Sequence, residues 1–368
     1  MLATDPTPGQ LAVSVIVPAR NEEACLGACL QSLLSQRGLT FEIKVVDDHS
    51  TDRTREIASS FSSELVRVID APPLPAGWTG KNNAVSAGAA AARGEWLLFT
   101  DADTIHLPGS LARAVDEAKR RGAALLSYSP EQIVKSISAK AVMPVIFAEL
   151  MASYRPSQVS DPKSPAAAAN GQYILITREA YNAVGGHAAV AANLLEDVAL
   201  ARAVKRSGRK IFFRYASDAV RTRMYRSFAQ LREGWTKNLA LLFRSPSRLA
   251  ALRSIEFVLI IASFAIVVAA TLRQHRTPAT LAAILAVILY AFFLRRIRRA
   301  HFSWDANLLA LFGLPLFSYL LLRSKIFHQR GNVSWKGRSY PGAISPEEQD
   351  EKQDKELSTV SQHPLTDN

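Results

Sequence analysis

Short apolar runs alternate with stretches of helical periodicity through about the first hundred residues of the chain. Runs rich in β-branched and apolar residues predict strands at 13–18, 41–46, 65–69 and 96–99. Apolar residues at helical spacing predict helices over 22–36 and 82–92, and we expect Ser50 and Thr51 to cap a further helix between them. This alternation predicts an α/β fold, with a parallel sheet covered by helices on both faces.

The pattern loosens between residues 123 and 220 and then changes character. A stretch rich in Ser, Pro and Ala at 158–170 is typical of a loop or lid. Beyond residue 253, largely uncharged segments follow at about 255–272, 277–294 and 306–322. A membrane-spanning helix needs roughly 17–25 apolar residues, which the second segment supplies and the first nearly supplies.

The third apolar segment is the least regular, because it contains Asn307, Gly313, Pro315 and Ser318. It suits a span, a re-entrant segment or an interfacial helix. If the arginines before the first segment and after the second are both cytoplasmic, a third span would carry its own basic flank outside. We therefore expect this segment to be re-entrant or interfacial.

Buried helices of a soluble domain are the alternative interpretation of the three apolar segments. Basic residues bracket the segments, as they do around membrane spans: Arg253, Arg295, Arg296, Arg298, Arg299, Arg323 and Lys325. Lys and Arg at the ends of apolar segments are typical of the cytoplasmic side of a membrane. The flanks therefore favour membrane association.

The net charge of +12 is distributed unevenly along the chain. Between residues 202 and 253 there are fourteen Lys and Arg residues against Asp218 and Glu233 alone. Such a stretch suits nucleic acid, nucleotide phosphates or anionic lipid headgroups. Because apolar segments follow it directly, we expect a membrane surface as partner and no nucleic acid.

The N-terminal residues and the cysteines indicate the compartment. The N-terminus lacks the basic-then-apolar pattern of a signal peptide, so the first domain is expected to stay in the cytoplasm. Cys25 and Cys29 are the only cysteines and have no zinc-type or disulfide-type spacing, which fits a reducing compartment. The predicted location is the cytoplasmic membrane, with the N-terminal domain facing the cytoplasm.

Acidic pairs follow two of the predicted strands, at the edge where sheets of this kind bind ligands. Asp47 and Asp48 follow the second strand, and Asp101 and Asp103 follow the fourth. Two carboxylates one residue apart repel each other unless a cation lies between them, and oxygen ligands suit Mg²⁺ or Mn²⁺. Asp-x-Asp alone usually marks a solvated turn. Its position after an apolar strand predicts a metal that neutralises charge on a diphosphate leaving group.

Asp197 follows Glu196 where a helix is predicted to begin. Helix capping is a common role for aspartate near a helix start. The other interpretation is a general base that takes the proton from an acceptor hydroxyl. The residues alone leave these two interpretations equally weighted.

Four polar clusters in this order resemble family 2 glycosyltransferases with a GT-A fold over roughly residues 13–240. The clusters lie at 15–22, 45–52, 100–103 and 194–197. The resemblance implies a Rossmann-like nucleotide-binding sheet that holds a nucleotide-sugar donor. The residues it places at the nucleotide base and ribose are Pro18, Ala19, Arg20, Glu22, Asp47 and Asp48.

The same resemblance assigns roles to the two later clusters. Asp103, with Asp101, matches the metal motif, and Asp101 also belongs to the donor site. Glu196 and Asp197 match the acidic pair whose aspartate is the base in inverting members, and Glu196 is a candidate for acceptor or diphosphate contacts. The cofactor implied is Mg²⁺ or Mn²⁺.

Finer motifs resemble a bacterial branch of the family that carries C-terminal membrane helices. They lie at 74–81, 223–226, 234–238 and 333–340. The branch includes hopanoid-associated and carotenoid-glycosylating enzymes and, more distantly, ceramide glucosyltransferases, which implies a lipid acceptor. Gly80 and Lys81 at a helix start are expected to cradle a donor phosphate, the alternative for Lys81 being an ordinary surface lysine.

One motif departs from the pattern of lipid-directed relatives, which carry Gln-x-x-Arg-Trp on an interfacial helix. The candidates here are Gln230, Arg232 and Trp235, in which the arginine and the tryptophan are not adjacent. They could contact the acceptor or the diphosphate, with the indole as a stacking platform. They could equally be an interfacial anchor, since Trp prefers headgroup depth and Arg extends toward water.

The sequence therefore divides into five predicted parts: a flexible N-terminus (1–12), a GT-A catalytic domain facing the cytoplasm (13–240), membrane-interface and hydrophobic helices (241–330), a Trp-Lys-Gly-Arg segment (331–344) and a disordered tail (345–368). The tail is charged and almost free of apolar residues, which is typical of disorder.

The predicted reaction is an inverting transfer of a hexose from a UDP-sugar to a lipid or isoprenoid hydroxyl. A polyprenyl-phosphate sugar synthase is the alternative within glycosyl transfer, and its phosphate nucleophile needs little help from a base. A sugar nucleotidyltransferase would be expected to carry a Gly-rich N-terminal signature and no membrane helices, the reverse of this chain. A membrane scaffold or nucleic-acid binder without activity would be expected to have lost the acidic residues.

Overall fold

The computed structural model describes residues 11–340, which form two compact units. The first unit comprises residues 11–134 and 151–224, and the second comprises residues 135–150 and 225–340. Most of the predicted flexible N-terminus and the whole of the predicted disordered tail, 345–368, lie outside the described residues. The limits of the five predicted parts, and the function assigned to each part, remain predictions.

The strands are short and lie mainly in the first unit: β1 (Val13–Ala19), β2 (Phe41–Asp47), β3 (Val66–Asp70), β4 (Trp96–Phe99), β5 (Thr104–His106), β6 (Leu125–Ser129), β7 (Glu131–Gln132), β8 (Ile174–Thr177), β9 (Ile211–Tyr215), β10 (Val220–Thr222), β11 (Val333–Trp335) and β12 (Arg338–Tyr340). The α-helices are α1 (Leu26–Leu34), α2 (Thr54–Ser60), α3 (Gly80–Ala90), α4 (Ser110–Arg121), α5 (Ile137–Ser153), α6 (Pro156–Ser160), α7 (Arg178–Ala183), α8 (Glu196–Arg206), α9 (Phe228–Leu242), α10 (Pro246–Leu272), α11 (Arg276–Ile297) and α12 (Trp304–Gln329).

A seven-stranded sheet in the order β3-β2-β1-β4-β8-β6-β9 forms the centre of the first unit. The predicted α/β fold is confirmed. The four strands of the first hundred residues, β1 to β4, pair in parallel as predicted. The complete sheet is mixed, because β8 runs antiparallel to both β4 and β6. The chain leaves the sheet between β6 and β8 through α5 and α6, and this long excursion returns it in the opposite direction.

Alternate side chains of the central strands pack on opposite faces of this sheet. Val13, Val15 and Val17 belong to a buried cluster with α1 and α4, whereas Ile16 belongs to another with α3 and α8. The period of two places helices on both faces, as predicted. Helix α3 packs tightly on the sheet at Gly88, where an added Cβ would be 2.5 Å from Cγ2 of Ile16.

Two local predictions need correction. The expected cap at Ser50 and Thr51 is wrong, because α2 begins at Thr54, whose N–H donates to Oδ1 of Asp52 at 2.9 Å. The hydroxyl of Ser50 instead accepts the N–H of Asn21 at 3.1 Å. The stretch predicted as a loop or lid at 158–170 begins inside α6, and only its later part is irregular.

Residues 135–150 give the second unit a buried helix that comes from the middle of the sequence. The α5 side chain of Met143 accepts the indole N–H of Trp235 from α9 at 3.3 Å. Lys140 forms an ion pair of 2.6 Å with Asp305 of α12. Helices α5 and α12 touch through their backbones at Gly313, where a Cβ would lie 2.5 Å from the carbonyl carbon of Ala141.

A closed group of four charges joins α5 to α10 and α11. Glu149, which is 6 % exposed, accepts hydrogen bonds from Arg253 and Arg296. Glu256 accepts from the same two arginines, at 2.8 Å and 2.7 Å. We call these residues the charge quartet. Its net charge is zero and each carboxylate contacts two guanidinium groups, which limits the cost of removing the charges from water.

Three helices are long and apolar enough to cross a membrane: Pro246–Leu272, Arg276–Ala300 and Trp304–Gln329. The apolar windows of the first two are 17 % buried and that of the third is 56 % buried. The first two therefore leave most of their apolar surface uncovered. The third is one continuous helix of 26 residues, so the expected re-entrant form is wrong, whereas a span and an interfacial helix both agree with it.

Gly313→Ala is expected to destabilise the second unit, because the added Cβ would overlap the backbone carbonyl of Ala141 and force two helices apart. Overpacking of this kind costs about 1–3 kcal/mol. The measurement is the midpoint of thermal unfolding in detergent. Gly27→Ala in α1 is the matched control, since its Cβ would meet nothing closer than Cγ2 of Ile57 at 3.7 Å. Equal midpoints for both variants would contradict the described packing of α5 on α12.

Candidate active site

The C-terminal ends of β1, β2 and β4 lie next to one another at one edge of the sheet. The strands are parallel, with Ala19 opposite Asp47 and Ile16 opposite Phe99. The turn after β1, the loop after β2 and the acidic turn after β4 therefore begin at the same edge. Ligands bind at this edge in open α/β sheets.

The turn after β1 and the loop after β2 are tied together by hydrogen bonds. The N–H of Asp48 donates to the carbonyl of Ala19 at 2.8 Å, and the guanidinium of Arg20 donates to the carbonyl of Asp48 at 2.6 Å. The N–H of Glu22 donates to the hydroxyl of Thr54 at 2.6 Å. Pro18 pairs with Val46 near the ends of β1 and β2. The six residues predicted at the nucleotide base and ribose therefore all lie at these two strand ends or in the loops that follow them.

Sequence reasoning missed two residues that shape these loops. Asn21 and His49 have positive φ values of 53° and 55°, a conformation that few non-glycine residues adopt. The side chain of Asn21 accepts the N–H of Thr51 at 2.9 Å and so links the two loops. An asparagine two residues after a strand was the available signal, because asparagine tolerates this conformation better than most residues.

Asp47 presents a buried acceptor at the end of β2. Its side chain is 5 % exposed, and Oδ2 lies 3.8 Å from the guanidinium of Arg55, which also pairs with Asp70. Oδ1 is buried and has no hydrogen-bond partner in the part of the chain that the structure describes. A buried carboxylate oxygen without a donor is costly, so this atom suits an N–H or O–H group of a ligand.

Lys81 lies between the carboxylates of two different clusters. Its ammonium nitrogen is 2.8 Å from Oδ1 of Asp101 and 2.8 Å from Oε1 of Glu196. Helix α3 begins at Gly80, directly before it, as predicted. Burial alone would lower the pKa of Lys81, but the carboxylates of Asp101 and Glu196 raise it well above its ordinary value. An ordinary surface lysine does not have these contacts.

Asp197 lies in the first turn of α8, with Leu195 at the cap position. Oδ1 accepts the N–H of Val198 and Oδ2 accepts the N–H of Gly171, both at 2.8 Å. Burial and the neighbouring Glu196 raise the pKa of Asp197 to about 6, although Lys81 and the two backbone N–H groups oppose that rise. The carboxylate thus binds amides near a helix start and also has a pKa that suits a proton acceptor.

Gly171 was not predicted, although it completes this arrangement. A Cβ on Gly171 would lie 2.9 Å from Nζ of Lys81 and 3.4 Å from Oδ2 of Asp197. A larger residue here would therefore require the ammonium end of Lys81 to shift. The signal that could have found it is a glycine shortly before an apolar strand, which often marks a close approach to another group.

Asp101 and Asp103 supply carboxylate oxygens, the ligand type that Mg²⁺ and Mn²⁺ take. Among residues 11–340, no three His, Cys, Asp or Glu side chains are grouped so as to hold a metal ion. Mg²⁺ usually binds through one or two carboxylates together with substrate phosphates. The residues therefore fit a cation whose coordination is completed by a diphosphate rather than by a cage of protein ligands.

The remaining predicted site residues, Gln230, Arg232 and Trp235, lie on α9 in the second unit. Trp235 is 2 % exposed, and its ring packs against Phe147 and Tyr225. A buried indole offers no face for stacking, so this packing does not support the platform predicted for it. Gln230 accepts the N–H of Arg226 at 2.9 Å, and Arg232 is exposed.

Comparison with known proteins identifies similar sequences over most of the chain. The family model described as glycosyl transferase family 2 matches residues 14–181. The 4,4'-diaponeurosporenoate glycosyltransferase of Staphylococcus aureus (strain MRSA252) is 30 % identical over 354 residues, which cover 92 % of this chain and 90 % of that protein. The protein of the same name from strain USA300 is 29 % identical over the same coverage.

Two solved structures resemble the chain more distantly. One is the mannosyltransferase PcManGT from Pyrobaculum calidifontis in complex with GDP-Man and Mn²⁺, with 18 % identity, a TM-score of 0.48 and coverage of 88 % of this chain and 89 % of that chain. The other is S. aureus TarS 1–349 in complex with UDP-GlcNAc, with 16 % identity, a TM-score of 0.43 and coverage of 91 % and 100 %.

Proposed function

The chain belongs to glycosyl transferase family 2, and from this premise we propose that it transfers a hexose from a nucleotide-sugar to an isoprenoid or other lipid acceptor at a membrane surface. The observation that carries the proposal is the convergence of Asp101, Lys81, Glu196 and Asp197 at one edge of the sheet. The acceptor class rests on the name of the S. aureus relatives and on the apolar helices.

Donor binding is proposed for the loops after β1 and β2 and for the start of α3. The partnerless Oδ1 of Asp47 would accept an N–H or O–H of the nucleoside. Lys81 would place its ammonium group, together with the first N–H groups of α3, against the diphosphate. Asp103, with Asp101, would hold Mg²⁺ or Mn²⁺, which when bound neutralises charge on the departing diphosphate.

Asp197 is proposed as the general base of a single inverting displacement. Its carboxylate would take the proton of the acceptor hydroxyl as the oxygen attacks the anomeric carbon from the face opposite the nucleotide. Burial and the negative charge of Glu196 raise the pKa of Asp197, and this makes the ionised carboxylate a stronger proton acceptor. Lys81 limits that rise and keeps Asp197 ionised near neutral pH.

Helices α10 and α11 are proposed to hold the enzyme in the cytoplasmic membrane, with the site on the cytoplasmic side. Their apolar surface is largely uncovered, and its exposed side chains include Val258, Ile266, Leu281 and Phe292. Exposed Arg295 and Arg299 at the end of the second helix support a cytoplasmic position for that end, since Lys and Arg flank membrane spans preferentially on the cytoplasmic side.

Membranes that contain the chain are expected to transfer label from one of a panel of radiolabelled UDP- and GDP-sugars into the organic extract. A high-salt wash should leave the activity in the membrane pellet, because apolar helices resist salt whereas charge contacts do not. EDTA should abolish transfer, and Mn²⁺ should restore it. Mild alkali hydrolyses a sugar ester but leaves the glycoside of a hydroxyl group intact, so this treatment distinguishes the two kinds of product. Label that stays aqueous with every donor would contradict the lipid acceptor.

Asp197→Asn is expected to lower kcat by about 10²–10⁴-fold, the usual contribution of a general base. UDP affinity, measured by calorimetry, should stay unchanged, because the amide keeps the size of the carboxylate. Glu179→Gln is the matched control, since this exposed carboxylate forms an ion pair with Arg209 on the surface of the first unit. Full activity in Asp197→Asn would instead favour an acceptor group that is already ionised, a phosphate or a carboxylate, which needs no base.

The pH dependence of kcat/KM is expected to show an acidic limb near pH 6, set by the raised pKa of Asp197. Below about pH 6 the carboxyl group becomes protonated and cannot accept a proton, so the rate should fall about tenfold per pH unit. Initial rates at low donor concentration between about pH 4.5 and 8, a range that spans this titration, measure the effect. A rate that is flat down to pH 5 would contradict the role of Asp197.

A further inference from the structure

A segment of three residues, two half-buried and the last buried, lies between the acidic turn after β4 and Asp197. It comprises Asn170, Gly171 and Gln172, directly before Tyr173 and β8. The N–H of Gly171 donates to Oδ2 of Asp197 at 2.8 Å. The carbonyl of Gln172 accepts the hydroxyl of Thr100 at 2.8 Å, and Thr100 immediately precedes Asp101. One short stretch of backbone thus contacts both parts of the candidate site.

The side chain of Gln172 connects the same segment to the backbone of Asp103. Gln172 is 2 % exposed, and its Nε2 donates to the hydroxyl of Thr222 at 3.2 Å. That hydroxyl donates in turn to the carbonyl of Asp103 at 3.2 Å. Oε1 of Gln172 accepts Nε2 of Gln132 at 3.3 Å, which fixes the orientation of the amide.

This network uses side chains that the proposed mechanism leaves without a role. Thr100, Gln132, Gln172 and Thr222 are all buried in the first unit, far apart in sequence, and none carries a charge. Buried polar groups need partners, so each member depends on the others to remain satisfied. Moving Gln172 would therefore disturb the turn that carries Asp103 and the N–H group that holds Asp197.

We propose that Gln172 is a positioning residue that holds the acidic turn and Asp197 in a fixed relation. It acts on Asp103 through Thr222, and on Asp197 through the N–H of its neighbour Gly171. Neither effect requires Gln172 to touch the donor or the acceptor. The inference rests on the proposed function, since it gives Asp103 a part in donor binding and Asp197 a part in proton transfer.

Gln172→Met tests the proposal, because methionine keeps the volume of the side chain and removes its hydrogen bonds. We expect the affinity for UDP in the presence of Mn²⁺, measured by calorimetry, to fall about three- to tenfold, the effect of losing about one hydrogen bond. The acidic limb of kcat/KM should move to higher pH by up to about one unit, because a weakened N–H bond to a carboxylate favours its protonated form.

The groups that face Asp197 must be the same in all variants if that shift is to be interpreted. They are Glu196 and Lys81, together with Tyr154, whose phenol lies close enough to interact with it electrostatically. None of them is altered in Gln172→Met. A change in the acidic limb therefore reports on the N–H of Gly171 rather than on a new charge.

Thr222→Val distinguishes the link from Gln172 to Asp103 from the link to Asp197. It removes the hydroxyl that binds the carbonyl of Asp103 without changing the shape of the side chain. We expect UDP affinity to fall as in Gln172→Met, while the acidic limb stays in place, because the side chain of Gln172 is still held by Nε2 of Gln132, a bond that Gln172→Met loses. Thr222→Ser retains the hydroxyl and should restore the affinity.

Tyr173→Phe is the matched control for loss of a buried polar atom. Tyr173 is fully buried next to Gln172, and its hydroxyl has no hydrogen-bond partner among residues 11–340. Removing that hydroxyl should change neither UDP affinity nor the pH profile. The midpoint of thermal unfolding, recorded for each variant, shows whether the fold is intact. If Gln172→Met does not fold, the comparison of Thr222→Val with Thr222→Ser decides.

The outcomes distinguish this inference from the proposed function. If Gln172→Met and Thr222→Val bind UDP as tightly as Tyr173→Phe, the positioning role is wrong, whatever the unmodified chain transfers. If both variants lose affinity and Thr222→Ser regains it, the role is supported. Absence of transfer by the unmodified chain, with UDP binding retained, counts against the proposed lipid acceptor and not against Gln172.

Discussion

The carboxylates of Asp101, Glu196 and Asp197 surround the ammonium group of Lys81 at one edge of the central sheet, and its positive charge makes this arrangement possible. Asp101 and Glu196 come from distant parts of the chain, and both lie 2.8 Å from the same nitrogen. Without a cation between them, the carboxylates would repel each other and favour protonation. The contact therefore fixes the end of β4 relative to the start of α8, and it also limits how far the pKa of Asp197 rises.

The rest of the first unit supports this contact through backbone geometry. Parallel pairing of β1, β2 and β4 brings three loops to one edge. The absence of a side chain at Gly171 leaves room for Lys81 and Asp197 together. A buried polar network behind the edge then holds the loops without adding charge, which matters because a further buried charge would alter the pKa of every carboxylate nearby.

The sequence predicted the parts of the site that depend on local pattern. Acidic residues after apolar runs, and a Gly-Lys pair at a helix start, are visible in a single stretch of chain, and the strands place them as predicted. The direction of β8 was not predictable, because it depends on where a long excursion returns. The network around Gln172 was also missed, since Gln132, Gln172 and Thr222 carry no signal until the fold brings them together.

Helix α5 has a practical consequence for how this enzyme can be divided. Residues 135–150 lie in the middle of the sequence but belong to the second unit, where Met143 and Phe147 contact Trp235, and Glu149 completes the charge quartet. A fragment that ends at residue 224 would keep α5 and lose the helices that bury it. Its apolar side and an uncompensated glutamate would then face water. A water-soluble form of the first unit therefore requires replacement of α5 as well as removal of the C-terminal helices.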